Sequence, residues 1–283
     1  MPYRTAHILR RLPVLALCLL LLSPGAAAVR LSECQGNFEA IRGPAYSFSL
    51  QSERDVLPAA QLGDIEASAN AIYQHWAALI AAPVPFVVDV RLALFSGLAD
   101  FEQRKMALAP ELPDVTGFYA WDERLAVALT HPTRPEQTRR RALHEISHLI
   151  TVSQLGGAPH WLAEGLAEVH EMVVVTADGP EFQVNERHRS WLTATDQQAL
   201  AELFLAQPEA WYASDSQRLY ALSWSLVYFL LQSTEGRGAL GFTLQQASTH
   251  SCGSYDASAF LIRAYPGGGS ALARDWARWL RTV

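Results

Sequence analysis

The sequence predicts an α+β fold, a mixed α/β lobe followed by an all-helical lobe, and two patterns predict it. Up to about residue 130, a helical stretch gives way to segments with the alternation and β-branched content of strands. Past Pro135, segment after segment repeats its apolar residues at spacings of three and four. With 283 residues, half of them hydrophobic, the chain can bury a core as one domain with two lobes.

Residues 1–28 read as a signal peptide: a basic start, an apolar run from Leu12 to Leu22, and a small-residue exit ending Ala26-Ala27-Ala28. The apolar run is shorter than the roughly 20 residues that span a bilayer, so cleavage after Ala28 is expected rather than an anchor. Cleavage removes Arg4, Arg10 and Arg11 and no acid, leaving 19 of the 22 Lys+Arg against 28 Asp+Glu. Such a surface does not attract nucleic acid or an anionic membrane. The expectation is an exported monomer, periplasmic or secreted, with no stable membrane insertion once the signal is gone. Cys34 and Cys252 remain after cleavage, and an exported chain usually pairs two cysteines. Closing that loop would stabilise the fold by about 5 kcal/mol on the chain-entropy account. Two buried free thiols are the other reading.

The mature domain, 29–283, divides at 155/156. From Asp64 to Ile80 the residues Ile65, Ala69, Ile72, Trp76, Leu79 and Ile80 lie on one face of a helix. Pro83 and Pro85 end it, and 84–95 reads as a strand. A short helix is expected at 98–108, then two strands within 118–130 meeting in a hairpin. Helices are expected at 136–154, 161–175, 196–206, 218–232, 237–248, 255–264 and 270–281. The eight tryptophans fall mostly on helical apolar faces, which makes them core before they are a sugar platform.

The chemistry is concentrated in His144-Glu145-Ile146-Ser147-His148, inside the helix after Pro135. A spacing of four places both imidazoles on one face, so two nitrogens can reach one ion. A catalytic zinc takes three protein ligands and keeps a fourth position open, so a third ligand must come from elsewhere. Glu164, in Trp161-Leu162-Ala163-Glu164-Gly165, follows a Gly156-Gly157-Ala158-Pro159 turn that lets the chain double back toward the histidines. His160 and His170 are its rivals. Glu145 points off the histidine line, near enough to take a proton from the water without binding the ion. The reaction this constellation implies is hydrolysis of a peptide or amide. Arg139-Arg140-Arg141, at the start of the same helix, reads as a solvated or ion-paired set before it reads as a substrate-carboxylate site.

The His-Glu-x-x-His helix with a downstream Trp-Leu-x-Glu-Gly resembles the gluzincin zinc metallopeptidases, in particular their bacterial peptidase-MA-like branch. Thr116-Gly117-Phe118-Tyr119 and the Tyr220 to Trp224 pattern extend the resemblance over roughly residues 60 to 281. It implies a zincin-like fold, Zn²⁺ as cofactor and a peptide or protein substrate. It also implies an acid four residues after the glutamate ligand, here Glu168, to take a hydrogen bond from a ligand histidine. Tyr220 is the residue it points to for stabilising the oxyanion. The strand at Leu125 to Leu129 is expected to offer the edge on which an extended substrate pairs. A catalytically silent zincin-fold scaffold of the cell envelope is the competing reading, and an amide other than a protein's is a third. Degenerate relatives usually lose the base or a ligand, and this chain keeps Glu145 and all three ligands.

Overall fold

A four-stranded sheet in the order β1-β2-β4-β3 organises the first half of the chain: β1 (Tyr46–Ser52), β2 (Val88–Phe95), β3 (Gly117–Ala120) and β4 (Leu125–Leu129). The computed structural model describes residues 46–52, 56–80, 88–120, 123–192, 198–213, 215–250 and 255–282. Residues 1–28, expected to form a signal peptide, and the expected Cys34–Cys252 pair lie outside the described residues. β1 and β4 flank β2 in parallel, and β3 closes the sheet antiparallel to β4. The sheet is therefore mixed.

Alternation along the strands divides the apolar residues between two clusters, as a two-residue period requires. Val88, Val90, Leu92 and Leu94 of β2, with Ala126 and Ala128 of β4, belong to the main core. Ala93, Leu125, Val127 and Phe118 face the opposite way, against Phe101 of α2 (Leu98–Leu108). The main core continues through α1 (Ala59–Ile80) and α3 (Pro135–Leu155) into the C-terminal helices without a break at 155/156. Trp76, Trp161, Trp224 and Trp276 are all buried in it.

Beyond α3 come α4 (His160–His170), a hairpin of β5 (Val173–Thr176) and β6 (Gly179–Phe182), the single turn α5 (Glu186–Arg189) and α6 (Ala199–Leu205). A 3₁₀ segment (Pro208–Tyr212) leads to α7 (Gln217–Leu231), α8 (Thr234–Thr249), α9 (Ala257–Ala264) and α10 (Gly268–Leu280). The expected helices thus form with small shifts at their ends, but the second half is not all helical. The helix expected to run to residue 175 stops at His170. From Val173 the β-branched run Val173-Val174-Val175-Thr176 pairs with 179–182. Ala177-Asp178 makes the reversal, and Gly179, the first residue of β6, follows it at φ 117°.

Two features set α4 in place. Gly156 takes the left-handed conformation (φ 65°) that ends α3 and turns the chain back. Gly165 then lets α4 lie directly on α7, since a Cβ there would fall 2.6 Å from Val227 Cγ2 and 2.7 Å from the Ser223 carbonyl oxygen. Its neighbour Glu164 is carried to α3 by that close packing. Among the described residues no helix is long and apolar enough to cross a membrane.

Candidate metal centre

His144 and His148, one turn apart on α3, turn their Nε2 atoms toward each other at 3.1 Å. Glu164 Oε2, from the start of α4, lies 3.4 Å from His144 Nε2 and 3.5 Å from His148 Nε2. The three atoms form a nearly equilateral triangle. That carboxylate oxygen is buried, and among the described residues nothing meets it but the two imidazoles, neither in good hydrogen-bonding geometry, so two nitrogens and one oxygen converge on one point. This His/Glu group could bind a metal ion. Burial opposes charge on both sides of the pair, but attraction outweighs it. Glu164 is held well below the usual carboxylate range by the two imidazoles. His144 is raised well above its ordinary value by Glu164 and Glu171.

Glu145 sits beside the triangle without joining it. It is 8% exposed, and burial pushes its carboxyl up against the opposing pull of His144 and His148. Its side chain packs on Gly117 of β3, where an added Cβ would come within 2.7 Å of Glu145 Oε1. Gly117 therefore clears the space that the Glu145 carboxylate occupies. Of the neighbouring arginines, Arg141 donates to the Leu129 carbonyl. Arg139 binds Asp64, Ser68 Oγ at 2.8 Å and the Val173 carbonyl at 2.6 Å, while Arg140 pairs with Glu136 at 3.1 Å. The cluster is a structural and ion-paired set, and Arg139 ties α3 to α1 and β5.

The carboxylate behind His144 is not the expected one. His144 Nδ1 faces Glu171 Oε2 at 3.3 Å. Glu168 turns away, and its Oε2 accepts from Asn185 Nδ2 at 3.1 Å, Arg187 at 2.6 Å and His188 Nε2 at 2.7 Å. The reason is reach: Glu164, Glu168 and Glu171 share one face of α4 and its first following turn, and the third of them comes level with the His144 ring. Neither rival ligand joins the triangle. His160 stacks on Trp211, with ring centroids 5.3 Å apart. His170 is fully buried on the other side of α3, between Ser147 Oγ at 2.7 Å and His75 Nδ1 at 3.2 Å.

The triangle opens on a cleft of about 1420 Å³. Tyr220 lines it, and burial together with Glu164 and Glu168 raises its hydroxyl above the ordinary range. Tyr212, from the 3₁₀ segment, lines it too. On the far wall the sheet presents β3. The expectation placed the open edge at Leu125–Leu129, but β4 is enclosed between β2 and β3, and β3 is the edge strand along the cleft. In a parallel-then-antiparallel order the second strand of the hairpin is drawn inward by β2, which leaves the first outside.

Sequence reasoning missed Glu171, Asn185, Arg187, His188 and Tyr212. Only Glu171 carried a local signal, seven residues after Glu164 and so on the same helical face. The others depend on a loop and a single helical turn that have no periodicity. No protein-family profile, no curated protein and no solved structure matches the chain.

Proposed function

We propose that the protein is an exported zinc metallopeptidase of the gluzincin kind, with a zincin-like fold, cleaving peptide or protein substrates. The observation that carries this reading is the triangle of His144 Nε2, His148 Nε2 and Glu164 Oε2, with sides of 3.1, 3.4 and 3.5 Å. Four-coordinate zinc with N and O ligands at about 2.0–2.1 Å has ligand-to-ligand separations of roughly 3.3 Å, so the donor set fits zinc in spacing and in chemical type. Zinc held there supplies a Lewis acid and lowers the pKa of a water toward neutrality.

The chain's own residues do the rest. Glu145, with a carboxyl pushed up by burial, takes a proton from the attacking water and passes it to the leaving amine. Tyr220 lines the cleft with a hydroxyl that stays protonated, and so can donate to the developing oxyanion. The β3 edge offers backbone groups on which an extended peptide adds as a strand, which favours a peptide over a compact amide. The leader-like first 28 residues support export. A quenched peptide library tests the reading: cleavage by the zinc-loaded protein, abolished by chelation and in Glu145→Gln, is expected. Full zinc with no cleavage of any peptide favours the silent scaffold.

A further inference from the structure

Behind the metal triangle, two acids and three donors form a second layer that the gluzincin resemblance does not contain in this form. Glu171 faces two ways. Its Oε2 lies 3.3 Å from His144 Nδ1, while its Oε1 accepts from Asn185 Nδ2 at 3.0 Å and from Arg187 at 3.3 Å. The same Asn185 and Arg187 nitrogens also hold Glu168 Oε2, so one amide and one guanidinium clamp both carboxylates together. Glu171 is 4% exposed, whereas the Arg187 side chain is 56% exposed at the cleft.

We infer that Glu171, braced by Asn185 and Arg187, is a positioning residue that fixes His144 with its proton on Nδ1 and its Nε2 lone pair toward Glu164 and His148. This rests on the proposed metal centre. A carboxylate can only accept, so its contact with Nδ1 requires the ring to donate there, and a neutral imidazole that donates from Nδ1 has Nε2 free for an ion. The clamp matters because an acid this deeply buried, if unbraced, would turn to whatever donor lay nearest. A carboxylate held in one orientation locks the ring's rotation as well as its tautomer.

His144, Glu168 and Glu171 also have ligand atoms close enough together to suggest a second ion. The donors already present exclude it. Glu168 Oε2 accepts three hydrogen bonds, Glu171 Oε1 accepts two, and a guanidinium cation stands within 2.6 Å of the group. A second ion would have to displace Arg187 and strip the proton from a ring already committed through Nε2.

The test measures zinc affinity by competition with a chromophoric chelator, the visible spectrum of the cobalt-substituted protein, and the Tm of the metal-free protein. The variants are Glu171→Ala, Glu171→Gln and Arg187→Ala. Glu171→Ala is expected to weaken zinc binding about 10- to 100-fold and to shift the cobalt spectrum, as loss of a ligand's hydrogen-bond partner does. Glu171→Gln, which keeps an acceptor oxygen, is expected to recover part of the affinity. Arg187→Ala should lose affinity several-fold and shift the cobalt spectrum, with some loss of metal-free Tm because the guanidinium neutralises two buried carboxylates. Unaltered affinity in Glu171→Ala and Arg187→Ala, with one zinc in the wild type, overturns the inference alone. Two equivalents in the wild type falling to one in Glu171→Ala overturns it in favour of a second ion. No zinc in the wild type removes the metal centre and the inference with it.

Discussion

Helix α3 faces a histidine pair on each of two sides, its own His144 and His148 at the cleft and His75 of α1 with His170 of α4 at the core, and the two pairs are nearly equally spaced. In the cleft, His144 Nε2 and His148 Nε2 are 3.1 Å apart; on the core side, His170 Nε2 and His75 Nδ1 are 3.2 Å apart, with His170 bound to Ser147 of α3. What differs is the company. Glu164 and Glu171 raise His144 well above its ordinary value, whereas burial alone pushes His75 down to about 4, and burial with His75 holds His170 well below its ordinary value. Among the described residues no third His, Cys or carboxylate completes a metal-binding group around the core pair. Two imidazoles at hydrogen-bonding distance therefore do not make a metal site. The carboxylates set the cleft group apart, since Glu164 offers a third possible ligand atom and, with Glu171, makes up the charge that burial disfavours.

The largest effect should come from reducing the cleft pair to a single imidazole. His148→Ala is expected to weaken zinc binding well over 100-fold, beyond the roughly 10- to 100-fold that loss of an orienting partner costs, as read by chelator competition. Next, Glu145→Gln should keep its zinc while peptide cleavage falls by about 10²- to 10⁴-fold, the range of general acid–base catalysis, in a fixed-substrate assay. A smaller cost is expected where α4 is held in place. Gly165→Val puts a side chain against Val227 and the Ser223 carbonyl and should destabilise the fold by about 1–3 kcal/mol in urea unfolding.

The smallest effect belongs to the core pair and shows in acid. His75 and His170 are neutral in the fold, so below about pH 6.5 the unfolded chain binds more protons and stability falls. For His75 the loss is complete near pH 4, where the folded ring charges as well. Its part amounts to about 2 kcal/mol after allowance for partial exposure. His75→Gln, which keeps a hydrogen-bonding group at that place, should flatten the decline between pH 6.5 and 4 in urea titrations and leave zinc binding unchanged.

How much of this was legible in the sequence follows from which signals are local. His144, Glu145 and His148 were readable because a helix converts a spacing of four into one face. Glu164 followed from a glycine-rich turn that reverses the chain. The helices of the second half were readable from apolar periodicity, and only their ends moved. Ser233 and Asp256, for instance, cap α8 and α9 by accepting from Gly236 N and Ala259 N at 3.0 Å each. The hairpin at Val173–Phe182 was mistaken for the end of a helix because its four apolar and β-branched residues fit either period. The Asp178-Gly179 pair in the sequence, which stands at the end of the turn, was the signal to weigh. The strand order could not be read at all, since it depends on β2 entering between β1 and β4 from far along the chain. The exchange of Glu168 for Glu171 was hidden in part: both lie on the face of Glu164, and His188, which takes Glu168 Oε2 away from His144, is brought to α4 only by the tertiary fold.

The third ligand decides the metal centre, and a zinc titration of the metal-free protein beside Glu164→Gln and His75→Gln tests it directly. One equivalent bound by the wild type and by His75→Gln, with binding lost at the same concentrations in Glu164→Gln, is the expected result. Saturable binding that survives intact in Glu164→Gln, or none in the wild type, contradicts it.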